Sequence, residues 1–81
     1  MLMIRVPYAE SNGQLSVEVE LRHAADVFLV DRNNFRKYQS GQSFDYFGGY
    51  YTQTPVRINI NGVGRYYLIV HGDGQYRYRF F

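Results

Sequence analysis

The segment Gln14-Leu15-Ser16-Val17-Glu18-Val19-Glu20-Leu21-Arg22 alternates apolar and polar residues almost without a break. A helix would scatter Leu15, Val17, Val19 and Leu21 around its circumference, whereas a strand sets all four on one face and Ser16, Glu18, Glu20 and Arg22 on the other. The same period returns in Pro55-Val56-Arg57-Ile58-Asn59-Ile60, with Val56, Ile58 and Ile60 facing in, and in Gln75-Tyr76-Arg77-Tyr78-Arg79-Phe80. Leu2, Ile4, Val6 and Tyr8 share one parity near the amino terminus and predict a further strand with one inward face.

Asp26-Val27-Phe28-Leu29-Val30-Asp31 is continuously apolar between two acids, the pattern of a strand covered on both sides. Alternation stops over Arg32–Gly41. There Asp31 or Asn33 can cap a short helical turn, Phe35 and Tyr38 share one side of it, and Gly41 ends it. Ser43-Phe44-Asp45-Tyr46-Phe47 opens another strand that bends at Gly48-Gly49 and continues through Tyr50-Tyr51-Thr52. Glu10-Ser11-Asn12-Gly13, Asn61-Gly62-Val63-Gly64 and Gly72-Asp73-Gly74 read as turns. Together these elements predict a single all-β domain over residues 1–81, a small antiparallel β-sandwich of jelly-roll type with about six to eight strands and one helical turn near residues 32–40.

A chain of 81 residues supports only a thin core. Homo-oligomerisation is therefore expected as a source of further burial. With no cysteine, thiol catalysis, thiolate metal sites and disulfides are excluded. Arg5 and Pro7 interrupt the first apolar run, which argues against a membrane span and for a cytoplasmic protein. Nine basic against seven acidic residues leave a formal net charge of +2, a weak balance for a nucleic-acid binder.

Nine Tyr and six Phe point to recognition surfaces. Tyr46, Tyr50 and Tyr51 flank Gly48 and Gly49, where backbone can come close to another group. That stretch reads either as a bend between strands or as a ligand-facing wall, and the bend is the plainer reading. Arg77 and Arg79 share one side of the last strand, and Arg57 and Arg65 join them if their strands are neighbours. Guanidinium forks take phosphate or carboxylate, and tyrosines stack on bases or sugars. The plainer alternative is a solvated face on which the arginines pair with Glu18, Glu20 or Asp45. Catalysis is not expected: His23 and His71 are the only histidines, His71 lies beside Asp73 only across a turn, and no serine sits in a nucleophile elbow. No metal-ligand spacing is recognisable, and no cofactor is expected.

Ala25–Asp31, Asn33-Asn34-Phe35, Tyr38, Gly41, Tyr46-Phe47-Gly48-Gly49, Pro55-Val56-Arg57-Ile58 and Gly64-Arg65-Tyr66 occur in an order that resembles the family called domain of unknown function 1883. The resemblance runs from about Gln14 to Gly72. It departs at Asn61, Tyr66 and His71, where the family commonly has proline, tryptophan and aspartate, and from Gln75 onward. It implies a small bacterial β-sandwich domain, some members of which accompany TIR domains in antiviral signalling proteins, and it implies no catalytic residues. The resulting expectation is a non-catalytic module of bacterial or phage origin that self-associates and recognises a polar ligand or partner, such as a nucleotide-derived signal or a TIR-type protein. A purely structural oligomerisation domain is the alternative. Single-stranded nucleic-acid binding, carbohydrate binding and a small hydrolase follow behind.

Overall fold

Side-chain alternation runs through two strands far longer than the turn signals imply. The computed structural model describes residues 6–72 and 75–81. The elements are β1 (Tyr8–Leu21), β2 (Ala25–Asp31), α1 (Arg32–Gln39), β3 (Phe47–Tyr51), β4 (Val56–Gly72) and β5 (Tyr76–Phe80). All strand pairs are antiparallel, in one sheet ordered β3-β2-β4-β1-β5. The all-β class and the single short helix stand as expected. The strands among the described residues number five because two expected turns lie inside strands.

Those turns, Glu10–Gly13 and Asn61–Gly64, face each other in the β1/β4 ladder, with Ser11 opposite Gly64, Asn12 opposite Val63 and Gly13 opposite Gly62. A straight strand of 17 residues would reach roughly 56 Å at about 3.3 Å per residue. The longest dimension of the whole fold is 32 Å. β4 and its partner must therefore bend, and Gly13 and Gly64, at φ of 140° and 131°, supply backbone that residues with a Cβ rarely adopt. The inner corner is filled tightly. The buried Ser11 hydroxyl donates to the Gly62 carbonyl, and a Cβ on Gly62 would overlap the Tyr66 hydroxyl.

Bending doubles the sheet into two layers that share one core. Leu15, Val17 and Val19 of β1 and Val56, Ile58 and Ile60 of β4 come from one arm; Val27, Leu29, Tyr66 and Leu68 come from the other. Tyr8, expected to face in, is 53% exposed, because the inward parity of β1 is that of Ser11, Leu15, Val17 and Val19. Leu2 and Ile4, its expected companions, lie outside the described residues, as does the Asp73-Gly74 part of the third expected turn.

Val30 and Ile69 are buried although their strand neighbours Leu29 and Leu68 point the other way into the core, so the second arm is covered on both faces. α1 supplies the cover. The Asp31 carboxylate caps it by accepting the Asn34 N–H at 2.8 Å, and Ser40 closes its far end before Gly41 turns at φ 77°. Phe35 lies flat on Tyr67, ring centroids 4.0 Å apart. The Asn34 side-chain carbonyl accepts the Asp45 N–H at 2.8 Å and so ties the following segment to the helix. Residues 43–46, expected to begin a strand, are irregular and place Phe44 and Tyr46 against Phe28.

Gly48 and Gly49 stand opposite Phe28 and Val27 in the β2/β3 ladder. Backbone does approach closely here, and what it approaches is the chain itself: a Cβ on Gly48 would overlap the Val27 carbonyl, while one on Gly49 would meet nothing. Gly48 also has φ 130°. Gly48→Ala is accordingly expected to cost about 1–3 kcal/mol in urea unfolding, whereas Gly49→Ala changes stability by less than about 1 kcal/mol in either direction. Equal effects at the two positions would contradict the close packing of β3 on β2.

Candidate functional site

The two arms carry outer faces of opposite character. On the first arm the register sets Glu18 opposite both Arg57 and Arg79, and Glu20 opposite Arg77. The Arg57 Nε lies 2.8 Å from the Glu18 carboxylate, Arg79 lies 3.5 Å from the same carboxylate, and Arg77 lies 3.0 Å from Glu20. Ser16 and Asn59 continue this polar face through a side-chain hydrogen bond. Three of the expected arginines are thus brought together, and cross-strand carboxylates already occupy them.

Arg65 stands apart on the second arm. Its Nε meets Glu10 at 2.8 Å and its guanidinium lies 4.5 Å from the centre of the Tyr8 ring. Hydrogen bonds to Glu10, then to Tyr67, raise its pKa above the ordinary arginine value. Much of the rest of that face is aromatic. Phe28 is ringed by Tyr46 at 4.3 Å, Phe44 at 6.0 Å and His71 at 6.4 Å, and the Tyr38 hydroxyl is hydrogen-bonded to His71 Nε2. Asp73, the acid nearest His71 in sequence, lies outside the described residues.

The expected tyrosines divide. Tyr46 is half-exposed beside Phe28, and Tyr50 is 66% exposed opposite Asp26. Tyr51 turns inward and packs against the core. None of the three touches an arginine of the first arm through the hydrogen bonds or ring contacts present. The aromatic and basic candidates therefore form separate surfaces.

Edge position is what sequence alone did not reveal. Among the described residues β3 pairs only with β2, and β5 only with β1, so each presents one side with no described partner strand. Phe47, 50% exposed, joins Tyr50 on the β3 edge; Tyr78, 46% exposed, and Phe81 mark the β5 edge. Strand order depends on long-range pairing, which no local pattern in the sequence signals. A second feature was missed: Arg22 and Arg77 line an open cleft of about 480 Å³ at the end of the first arm, with Glu20, Tyr76, Gln75 and Thr54. Thr54 fixes one wall by accepting the Leu21 N–H at 3.0 Å.

The profile of the family described as domain of unknown function (DUF1883) matches residues 6–78. The chain belongs to that family. The match extends beyond the span expected from the residues and takes in most of β5, which the resemblance had left outside. Neither a curated protein nor a solved structure matches the chain.

Replacing Glu18 with Gln removes the acceptor shared by Arg57 and Arg79. The expected loss in stability is below about 1 kcal/mol at low ionic strength and shrinks further in high salt, as chemical denaturation at the two salt concentrations will register. Burial, and then the charge of Tyr78, raises the Tyr76 phenol pKa above its ordinary 10.0. The folded state thereby holds that proton more tightly than the unfolded chain, so this contribution is complete below about pH 10 and fades as pH climbs further. Tyr76→Phe should flatten the alkaline decline in melting temperature.

Proposed function

We propose that this member of the DUF1883 family is a non-catalytic interaction module that self-associates through the edge of β3 and recognises a polar partner or ligand with its arginine-bearing arm. The observation that carries the reading is the composition of the β3 edge. Sheet edges are ordinarily blunted by lysine, proline, inward charge or a covering loop. Phe47-Gly48-Gly49-Tyr50-Tyr51 contains no charge and no proline, yet Phe47 and Tyr50 stand exposed along it.

Such an edge is also self-complementary. Antiparallel pairing of two copies about Gly49 sets Tyr50 of each opposite Gly48 of the other, so that each ring covers a bare glycine. This is an isologous contact, which closes as a dimer. The added apolar burial compensates for a core as thin as a chain of 81 residues permits.

The ligand half of the reading rests on the cleft bounded by Arg22, Arg77 and Tyr76. Two arginines against one carboxylate, Glu20, in the lining favour an anion, and a phosphate with an attached ring system suits a neighbouring phenol. A nucleotide-derived signal in bacterial or phage immunity, working in the cytoplasm beside a TIR-type partner, is the context that the resemblance suggested for such a ligand. A purely structural oligomerisation domain is the second reading. It is favoured by the engagement of Arg57, Arg65, Arg77 and Arg79 with carboxylates of their own chain.

Light scattering is expected to find a dimer at micromolar concentration and a monomer for Tyr50→Lys, whose circular dichroism stays native. A wild-type monomer would remove self-association. Calorimetric titration with cyclic dinucleotides and ADP-ribose derivatives is expected to give binding that Arg22→Gln weakens; silence across those ligands would leave the structural reading.

A further inference from the structure

The second edge of the sheet is built for a different occupant. β5, Tyr76-Arg77-Tyr78-Arg79-Phe80, turns Tyr76, Tyr78 and Phe80 toward the core side and Arg77 and Arg79 toward the outer face. On its paired side it meets β1 residue for residue: Glu18 opposite Arg79, Glu20 opposite Arg77, and Val17, Val19 and Leu21 opposite Phe80, Tyr78 and Tyr76. The chain thus contains the pattern that fits this strand, acids alternating with aliphatic residues.

On its unpaired side the same requirement is unmet. Tyr78 shares the inward parity of the wholly buried Val19, yet it stays 46% exposed, and among the described residues no strand lies beyond it. The arginine side is also in surplus: Arg57, Arg77 and Arg79 face Glu18 and Glu20, three cations against two anions, and Arg79 holds its shared carboxylate only at 3.5 Å. The Arg77 side chain is 86% exposed. A shallow groove of about 270 Å³ lies over the outer face of the β1/β5 pair, lined by Glu18, Glu20, Arg77, Tyr78 and Arg79, so that face stays open next to the edge.

We infer that β5 is a docking edge for an extended segment of a partner protein in which acidic and aliphatic residues alternate. Strand addition satisfies the free backbone groups of β5, sets acids beside Arg77 and Arg79, and covers Tyr78 with an aliphatic side chain. A second copy of β5 is a poor occupant. Two-fold pairing about Tyr78 would place Arg77 of one copy opposite Arg79 of the other, and like charges directly opposite repel. The inference goes beyond the self-association proposed for the other edge.

The test uses the full chain carrying Tyr50→Lys, so that failure of the β3 contact does not enter, and a fluorescent synthetic peptide copying Gln14–Arg22. A control peptide has both glutamates replaced by lysine. Fluorescence anisotropy should show the acidic peptide binding at least about tenfold more tightly than the control, with the difference falling as salt is raised. Arg77→Gln with Arg79→Gln in the domain should abolish the preference while circular dichroism stays native. If that variant unfolds, Tyr78→Ser, which removes the ring without adding charge, provides the second probe and should weaken binding of the acidic peptide. No binding by either peptide, equal binding by both, or a preference untouched by the folded variants would overturn the inference.

Discussion

Two glycine-bearing segments meeting inside one ladder set the rest of this structure. Because Gly13 pairs with Gly62 and Ser11 with Gly64, β1 and β4 turn the corner together and keep their register through it. The buried Ser11 hydroxyl and the Tyr66 ring fill the space on the inner side, where larger residues would force the layers apart. A sheet of five strands thereby covers itself. Without the bend, Val17, Val19, Ile58 and Ile60 would have no opposing layer, since α1 covers only the outside of the other arm.

The division of labour between the arms follows from that geometry. One outer face is shielded by Phe35, Phe44 and Tyr46 and by the Tyr38–His71 pair, so it is spent on stability. The other is open and carries alternating acids and arginines. Each edge then inherits the chemistry of its own strand. β3 brings aromatic rings and bare glycine backbone, whereas β5 brings a surplus of guanidinium beside an uncovered phenol. The two edges differ in kind, and the proposed partners differ accordingly.

Much of the fold was legible in the sequence where the deciding forces are local. Alternation identified Leu15, Val17 and Val19 of β1 and Val56, Ile58 and Ile60 of β4 as inward though it misplaced Tyr8, the apolar run of β2 announced a strand covered on both sides, and Asp31, Phe35, Tyr38 and Gly41 marked the helix. Glu10–Gly13 and Asn61–Gly64 misled for a physical reason. Asn and Gly favour reversal when a segment is considered alone, and only their pairing with each other, some fifty residues apart in sequence, decides for a bend inside a ladder. The candidate site divided in the same way. Cross-strand partners of Arg57, Arg77 and Arg79 were foreseeable once Glu18 and Glu20 were seen on the polar parity, but strand order, and with it the exposure of Phe47 and Tyr78 at edges, was not.

The continuous ladder at the corner can be observed directly. In the folded protein, nuclear Overhauser contacts between backbone protons of Ser11 and Gly64, Asn12 and Val63, and Gly13 and Gly62 should form an unbroken antiparallel series with those of the flanking pairs. Local contacts closing Glu10 on Gly13 and Asn61 on Gly64, with no cross-peaks between the two segments, would show separate hairpin turns and contradict a sheet doubled over on itself.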